Sequence, residues 1–244
     1  MSSAARDAAQ VERFARDVSD VPDLDAAITS CRACPRLVQW REAVAKDKRA
    51  AYRDEEYWGR PVPGFGDPAA QLLVVGLAPG AHGANRTGRV FTGDRSGDWL
   101  YGSMFRVGLA NQPSATGVDD GLRLSGARVT AAVRCAPPGN QPTAQERTTC
   151  APWLDRELEL LLSVTVLVAL GGFAWQAAWA ALVRAGRPVP RPRPVFGHGV
   201  EVRLAGLTVL GCYHPSQQNT FTGKLTEQML DDVLSRAAAL AAGA

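Results

Sequence analysis

Four short runs of aliphatic and β-branched residues recur along the chain, and their continuity constrains the fold more than any other feature. The runs are residues 72–75, 129–133, 164–170 and 207–210. Strands that are covered on both faces are apolar at consecutive positions, as the strands of parallel sheets are. Segments with helical spacing separate or follow the runs, at residues 98–109, 143–162, 173–185 and 226–242. This alternation predicts one α/β domain with a central, mainly parallel, four-stranded sheet.

A long uncharged stretch, residues 160–183, has the length of a membrane span. Gly171 and Gly172 interrupt it after a β-branched run, so a buried strand, a tight turn and a helix explain it better. The first 20 residues are rich in charged side chains where a secretory signal would be apolar. We therefore expect a cytoplasmic protein without membrane association. We also expect a single domain over residues 1–244, with a helical N-terminal extension over about residues 1–24.

The cysteines are a second constraint. Cys31 and Cys34 form a C-x-x-C pair, while Cys135 and Cys150 enclose residues 136–149. In a reducing compartment, four thiolates suit a metal ion or an iron–sulfur cluster, although a zinc ribbon would usually show two short hooks. A thioredoxin-like pair, or four unrelated buried thiols, stays open as an alternative. Cys212 ends an apolar run and is expected to be a buried hydrophobic residue.

A glycine-rich loop runs from Gly76 to Asp94, directly after the first predicted strand. Glycines let the backbone approach a ligand closely. The loop is not a Walker loop, because Arg89 stands where that motif requires lysine. Asp94 precedes a predicted helix and Phe91 lies three residues earlier, so one interpretation is a water-activating carboxylate beside an aromatic platform. The alternatives are a helix N-cap at Asp94 and a core side chain at Phe91.

His214 is the best placed of the three histidines, because it follows the apolar run 207–212 almost directly. Ligands of open α/β sheets bind at the carboxyl ends of strands. His82 is a candidate donor in the glycine-rich loop, whereas His198 is expected to be an ordinary turn residue. A histidine satisfied by structural hydrogen bonds is the alternative for each.

Four segments resemble, in order, the signature motifs of the uracil-DNA glycosylase superfamily, and within it those of the iron–sulfur type called type B or family 5. They read GLAPGAHGANRTG from Gly76, FTGD from Phe91, VRCAPPGN from Val133 and HPSQQNTFTG from His214. The resemblance covers most of the chain, from Cys31 to about residue 226. It implies a three-layer α/β/α domain. It also implies a [4Fe–4S] cluster, with the ligands Cys31, Cys34, Cys135 and Cys150.

The same resemblance implies that Asp94 orients or activates the attacking water and that His214 stabilises negative charge on the leaving base. Related families carry an acidic or amide residue directly after the first glycine of the loop, where this chain has Leu77. Phe91 is expected to stack on the flipped base and Asn140 to pair with its polar edge. The residues implied to contact the base are Gly80, Ala81, His82, Phe91, Asn140 and Asn219.

The resemblance implies a monomeric, monofunctional repair enzyme that flips uracil out of single- or double-stranded DNA and removes it by hydrolysis. It leaves open whether the enzyme also excises other deaminated bases, such as hypoxanthine. Water is the expected nucleophile, because none of the three lysines lies in the glycine-rich loop. The formal net charge is only +3, so phosphate contacts must be local. The candidate phosphate ligands are Arg86, Arg89, Arg95, Arg187, Arg191 and Arg193.

Two interpretations from other functional classes stay open. One is a non-catalytic iron–sulfur protein that binds damaged DNA, which Leu77 keeps in consideration. The other is a redox protein that uses Cys31 and Cys34. The sequence lacks the zinc-deaminase signature, in which H-x-E precedes P-C-x-x-C.

Overall fold

The computed structural model describes residues 4–243 and contains one mixed sheet. Its strands are β1 (Phe65–Gly66), β2 (Leu72–Gly76), β3 (Ala127–Ala131), β4 (Val166–Leu170), β5 (Glu201–Leu204) and β6 (Leu207–Cys212). The spatial order is β1-β3-β2-β4-β6-β5, with the inner four strands parallel and the two edge strands antiparallel to their neighbours. The prediction of four strands is therefore wrong: the four apolar runs form the parallel interior, and two edge strands complete the sheet.

The two edge strands lack the continuous apolar run that identifies the interior strands in the sequence. Every residue of β2, β3 and β4 is buried, as expected for strands covered on both faces. By contrast, β1 has only two residues, and β5 carries the charged residues Glu201 and Arg203. Short or charged edge strands also discourage pairing with other chains.

Helices cover both faces of the sheet. They are α1 (Ala8–Asp17), α2 (Val21–Ser30), α3 (Pro35–Asp47), α4 (Ala84–Thr87), α5 (Arg95–Arg106), α6 (Ala144–Leu160), α7 (Gly171–Arg184), α8 (Gln217–Phe221) and α9 (Glu227–Ala242). α2 runs across residue 24, where we expected the N-terminal extension to end. No helix within residues 4–243 has the length and apolar composition that a bilayer crossing requires.

Successive side chains of the interior strands point to opposite faces of the sheet, so one hydrophobic core lies on each face. Leu72 and Val74 of β2 face α5 and α9 on one side, whereas Leu73 and Val75 face α7 on the other. A third core lies beyond the sheet, where α1, α2 and α3 pack against α6 around Trp153. Two of the four clustered cysteines, Cys135 and Cys150, are buried in this third core.

Gly171 shows why one helix boundary differs from the prediction. We expected Gly171 and Gly172 to form a turn before a helix at residue 173, but α7 begins at Gly171 itself. Gly171 has a φ of 89°, a conformation that glycine adopts at little cost. β4 therefore passes directly into α7 without a separate loop.

A buried ion network joins the third core to the sheet. Glu157 of α6 has no exposed surface. Its Oε1 accepts a hydrogen bond from Nε of Arg128 at 2.7 Å, and its Oε2 accepts from Thr130 Oγ1 at 2.7 Å and from Nη2 of Arg134. Arg128 also donates to Asp25 of α2, at 2.7 and 2.9 Å. Two buried guanidinium groups thus share one fully buried carboxylate.

We predict that Glu157→Gln lowers the free energy of unfolding at pH 7 by about 3–5 kcal/mol, because it leaves buried positive charge without its main partner. Although burial raises the pKa of Glu157, Arg134 and Arg128 outweigh it and hold the value at about 2, below the ordinary 4.5. The wild type therefore has this stabilisation above pH 4.5 and loses it as the pH falls towards 2. Urea unfolding as a function of pH measures both effects.

Glu159→Gln is the matched control on the same helix. Glu159 is half-exposed and pairs with Arg156, one turn away, so its loss should cost about 0.5 kcal/mol or less. The role of the network would be contradicted if the two variants were equally stable. It would also be contradicted if Glu157→Gln lost stability at low pH as the wild type does.

Candidate functional site

The predicted site residues lie in loops that follow the carboxyl ends of three parallel strands. The glycine-rich loop leaves β2 at Gly76, the segment with Asn140 follows β3, and His214 comes two residues after β6. Open α/β sheets bind ligands at this edge. The fold therefore gathers separate sequence motifs at one end of the sheet.

Asp94 is both a helix cap and a side chain of the loop. As N-cap of α5, it accepts a hydrogen bond on Oδ1 from the backbone N–H of Gly97 at 3.1 Å. Its other oxygen, Oδ2, lies against the glycine-rich loop, only 2.8 Å from where a Cβ on Gly80 would be and 2.0 Å from where a Cβ on Gly83 would be. Burial raises the pKa of the Asp94 carboxyl, although the backbone N–H groups of Gly97 and Ser96 oppose the shift.

Arg86 braces the glycine-rich loop from inside. Its Nε donates to the carbonyl of His82 at 2.8 Å, and its Nη2 donates to the carbonyl of Gly93 at 2.9 Å. Nη1 pairs with Glu55. Arg86 thus ties the start of the loop to the residue before Asp94, which holds the carboxyl in place.

These contacts correct the expectation for two arginines. Arg86 and Arg89 are 9% and 4% exposed, and Arg89 forms a bidentate pair with Asp120. They support the loop from within the protein instead of facing phosphates. Arg95, Arg187, Arg191 and Arg193 are exposed.

Phe91 is held in a strained conformation beside His214. Its φ is 51°, which is an outlier for a bulky residue. The ring packs over Gly76, where a Cβ would lie 2.6 Å from ring atoms. The centroids of the Phe91 and His214 rings are 5.7 Å apart. Although Phe91 is only 9% exposed and belongs to the core, it contacts a site residue as well.

His214 is a neutral histidine at physiological pH, because burial lowers its pKa to about 4. Its backbone carbonyl accepts a hydrogen bond from Nδ2 of Asn219 at 2.9 Å, so Asn219 anchors the His214 segment to α8. A second contact was missed by sequence reasoning: Nδ1 of His198 accepts from the backbone N–H of Tyr213 at 3.2 Å. His198 is a brace for the residue before His214.

The start of the glycine-rich loop presents free backbone donors. Within residues 4–243, the N–H groups of Gly80, Ala81 and His82 donate to no other residue, whereas the Gly80 and Ala81 carbonyls accept bonds from inside the loop. Nδ1 of His82 is 3.0 Å from the Tyr57 hydroxyl. Burial lowers the pKa of His82, with Arg49 and Arg86 adding to the effect. A ligand with carbonyl oxygens fits such donors.

Asn140 ends a short 3₁₀ turn, Pro138–Asn140, between Cys135 and Cys150. It is exposed and has a φ of 57°. The structure brings Phe91 and His214 together and places Asp94 over the loop, but it shows no contact between Asn140 and these three residues in the described part of the chain.

The four clustered cysteines line one small cavity. Its other lining residues include the cations Arg41 and Arg134, together with Thr149 and Trp153. Nη1 of Arg41 donates to Sγ of Cys135 at 2.9 Å, and the backbone N–H of Arg134 donates to Sγ of Cys150 at 3.3 Å. Arg41 is 1% exposed, and its Nε finds no hydrogen-bond partner within residues 4–243. A buried cation turned towards thiols favours a negatively charged sulfur group at this place.

The thiols themselves are poor nucleophiles. Burial raises the pKa of Cys135 to about 11, and burial together with neighbouring Cys135 and Cys31 raises that of Cys34 to about 12. A dithiol redox site needs a lowered thiol pKa, so these environments disfavour the redox interpretation. No three His, Cys, Asp or Glu side chains among residues 4–243 are arranged to hold a single metal ion. A four-iron cluster differs, because each cysteine binds a different iron.

A groove of about 980 Å³ lies elsewhere, between α1, α6 and α7. Leu77 contributes to its floor, and Phe173 and Arg147 to its wall. Asp94, Phe91 and His214 do not line it. Leu77 therefore lines a different cavity from any that Asp94 could line.

Comparison with known proteins gives a consistent result. The model of the uracil DNA glycosylase superfamily matches residues 63–238. A type-5 uracil-DNA glycosylase of Mycobacterium bovis is 57% identical over 230 residues, which are 93% of this chain and 84% of the relative. Type-5 uracil-DNA glycosylases of Mycobacterium leprae and Thermus thermophilus are 56% and 52% identical, over 91% and 88% of this chain and 96% and 95% of the relatives.

We predict that Gly83→Ala lowers the free energy of unfolding by about 1–3 kcal/mol, since its Cβ would overlap the Asp94 carboxyl and force the loop to shift. Gly117→Ala is the control, because a Cβ there meets nothing within 4 Å. Urea unfolding compares the two. If both variants match the wild type, the close approach of Asp94 to the loop is not a constraint.

Proposed function

This chain belongs to the uracil DNA glycosylase superfamily and to its type-5 branch, so it is a hydrolase of N-glycosidic bonds that excises uracil in DNA repair, and on that premise we propose how its residues perform the reaction. In this proposal the enzyme is monofunctional: water attacks the anomeric carbon of a flipped deoxyuridine, the N-glycosidic bond breaks, and an abasic site remains. The proposal rests on the two oxygens of the Asp94 carboxyl. Oδ1 is held at the N-terminus of α5, and Oδ2 lies against the glycine-rich loop.

Asp94 acts as the group that orients and deprotonates water. Its Oδ1 is held by the Gly97 N–H, so the position of Oδ2 over Gly80 and Gly83 is fixed before substrate binds. The raised pKa makes the carboxylate a stronger base than an exposed aspartate. Its negative charge also stabilises the positive charge that develops on the sugar as the bond breaks.

In the proposal His214 acts on the leaving base. The electron pair of the broken bond passes to the base, which leaves as an anion. A histidine with a pKa of about 4 is neutral, so it acts as an N–H donor to a base oxygen instead of as a cation. A fixed donor in a dry site stabilises such an anion without reorganisation.

The remaining residues bind the base. In the proposal Phe91 stacks on it, the N–H groups of Gly80, Ala81 and His82 donate to its carbonyl oxygens, and Asn140 pairs with its polar edge when DNA is bound. Asn219 contributes through His214, whose carbonyl it holds. Hypoxanthine also carries a carbonyl oxygen made by deamination, so we extend the proposal to it as a second substrate.

We further propose that Cys31, Cys34, Cys135 and Cys150 hold a [4Fe–4S] cluster. The shared cavity and the buried Arg41 beside Cys135 support this donor set. When bound, the cluster supplies metal–thiolate bonds that cross-link α3 to both ends of the segment with Asn140. Asn140 would then be restrained by its flanking cysteines.

We predict that Asp94→Asn lowers single-turnover release of uracil by about 100- to 1,000-fold, because it removes the carboxylate base. Asparagine is as good an N-cap as aspartate, so the stability should change by less than about 0.5 kcal/mol. Release of free uracil from a defined DNA strand is the assay. Asp20→Asn is the matched control, because Asp20 caps α2 in the same way, at 2.8 Å from the N–H of Asp23, away from the site.

Three outcomes would contradict this mechanism. Near wild-type activity of Asp94→Asn would show that Asp94 serves only as the N-cap of α5. A covalent enzyme–DNA adduct trapped by borohydride would replace water with an amine nucleophile. Uracil binding by the wild type without release would favour the non-catalytic damage-binding alternative.

We predict that Cys150→Ser removes the broad visible absorbance and the bound iron and sulfide of the purified protein and lowers its melting temperature. Cys212→Ser is the control, since Cys212 is also buried but is the last residue of β6, in the core that the sheet shares with α9. Elemental analysis and absorption spectra measure the result. Full iron in Cys150→Ser, or zinc in place of iron in the wild type, would contradict the assignment.

A further inference from the structure

Phe221 presents an apolar ring to solvent next to the site. It is the last residue of α8, seven positions after His214, and 66% of its surface is exposed. The other large hydrophobic residues with more exposure are Leu162 and Val195. Leu162 precedes β4 and so lies at the opposite edge of the sheet from the site. Phe221 is therefore an exposed aromatic at the edge where DNA must bind.

Two sets of contacts position Phe221, one on its ring and one on the helix that carries it. Cζ of Arg95 lies 4.5 Å from the ring centroid, a cation–π contact. The helix α8 is fixed by Asn219, whose Nδ2 donates to the His214 carbonyl and whose own carbonyl accepts from the N–H of buried Leu225 at 3.0 Å. The ring is thus presented in a defined position.

The Arg95 contact links the two halves of the site. Arg95 directly follows Asp94, and Phe221 lies on the segment that begins with His214. Among the ion pairs of residues 4–243, none includes Arg95, so its charge is available to a phosphate. An aromatic ring and a cation in mutual contact therefore lie on the two segments that carry Asp94 and His214.

We propose that Phe221 is the wedge that enters the base stack of duplex DNA where the flipped nucleotide was, with Arg95 supporting the ring and binding an adjacent phosphate. The inference rests on the proposed function and assigns a residue to the flipping step. Extruding a nucleotide leaves neighbouring bases unstacked, and an aromatic ring offers them a replacement surface. A single strand has no opposite stack to fill, so the wedge should matter for duplex substrates alone.

The test compares uracil release by wild type and Phe221→Ala from the same sequence as duplex and as single strand. We expect duplex cleavage at subsaturating DNA to fall about 5- to 150-fold, the range that stacking of one base on an aromatic ring carries, with single-strand cleavage within about twofold of the wild type. Phe221→Trp, which keeps an aromatic surface, should restore duplex cleavage. Leu162→Ala is the control for loss of an exposed hydrophobic side chain.

A second readout reports flipping directly. With 2-aminopurine beside the uracil, Asp94→Asn should raise the fluorescence on binding duplex, and adding Phe221→Ala should abolish the rise. The wedge is overturned if Phe221→Ala lowers cleavage of both substrates equally or of neither, or if the wild type cleaves single strands alone. If the wild type releases no uracil from either substrate, the proposed function fails, and the wedge with it.

Discussion

The buried carboxylate of Glu157 is the interaction on which the rest of the structure depends. It joins α6 to Arg128 and Thr130 of β3 and to Arg134, three residues beyond that strand. Arg134 is next to Cys135, and α6 carries Cys150. One carboxylate therefore fixes both ends of the segment that contains Asn140. The network is costly to bury, and both oxygens of Glu157 are hydrogen-bonded.

The structure also resolves an apparent competition at Asp94. From sequence, helix capping and water activation are alternative explanations of a carboxylate before a helix. In the fold they are compatible, because the cap uses Oδ1 and leaves Oδ2 against the glycine-rich loop. Capping explains why the side chain is held so firmly. The helix N-terminus thus positions the group to which we assign the chemistry.

The interior of the sheet was predictable because each of its strands is a continuous apolar run, and the four motifs identified the family because their order is specific. Other features depend on contacts distant in sequence. The strand at 201–204 alternates charged and apolar residues and so gives no continuous apolar run. The role of His198 depends on its contact with Tyr213, which is distant in sequence. Arg86 and Arg89 resemble surface arginines in sequence, yet partners 31 residues away bury them. The roles of the site residues and of the cysteines stay predictions.

Glycines in the loop from Gly76 to Gly83 are commonly associated with flexibility, but here their value lies in the missing Cβ. The Phe91 ring and the Asp94 carboxyl occupy the space that side chains at these positions would fill, and Arg86 ties the loop to its surroundings. Phe91, Asp94 and the glycine-rich loop are therefore held in position before DNA binds. In the proposed mechanism the conformational change then falls to the nucleic acid, so that nucleotides in weak or mismatched pairs would reach the Asp94 carboxyl most readily.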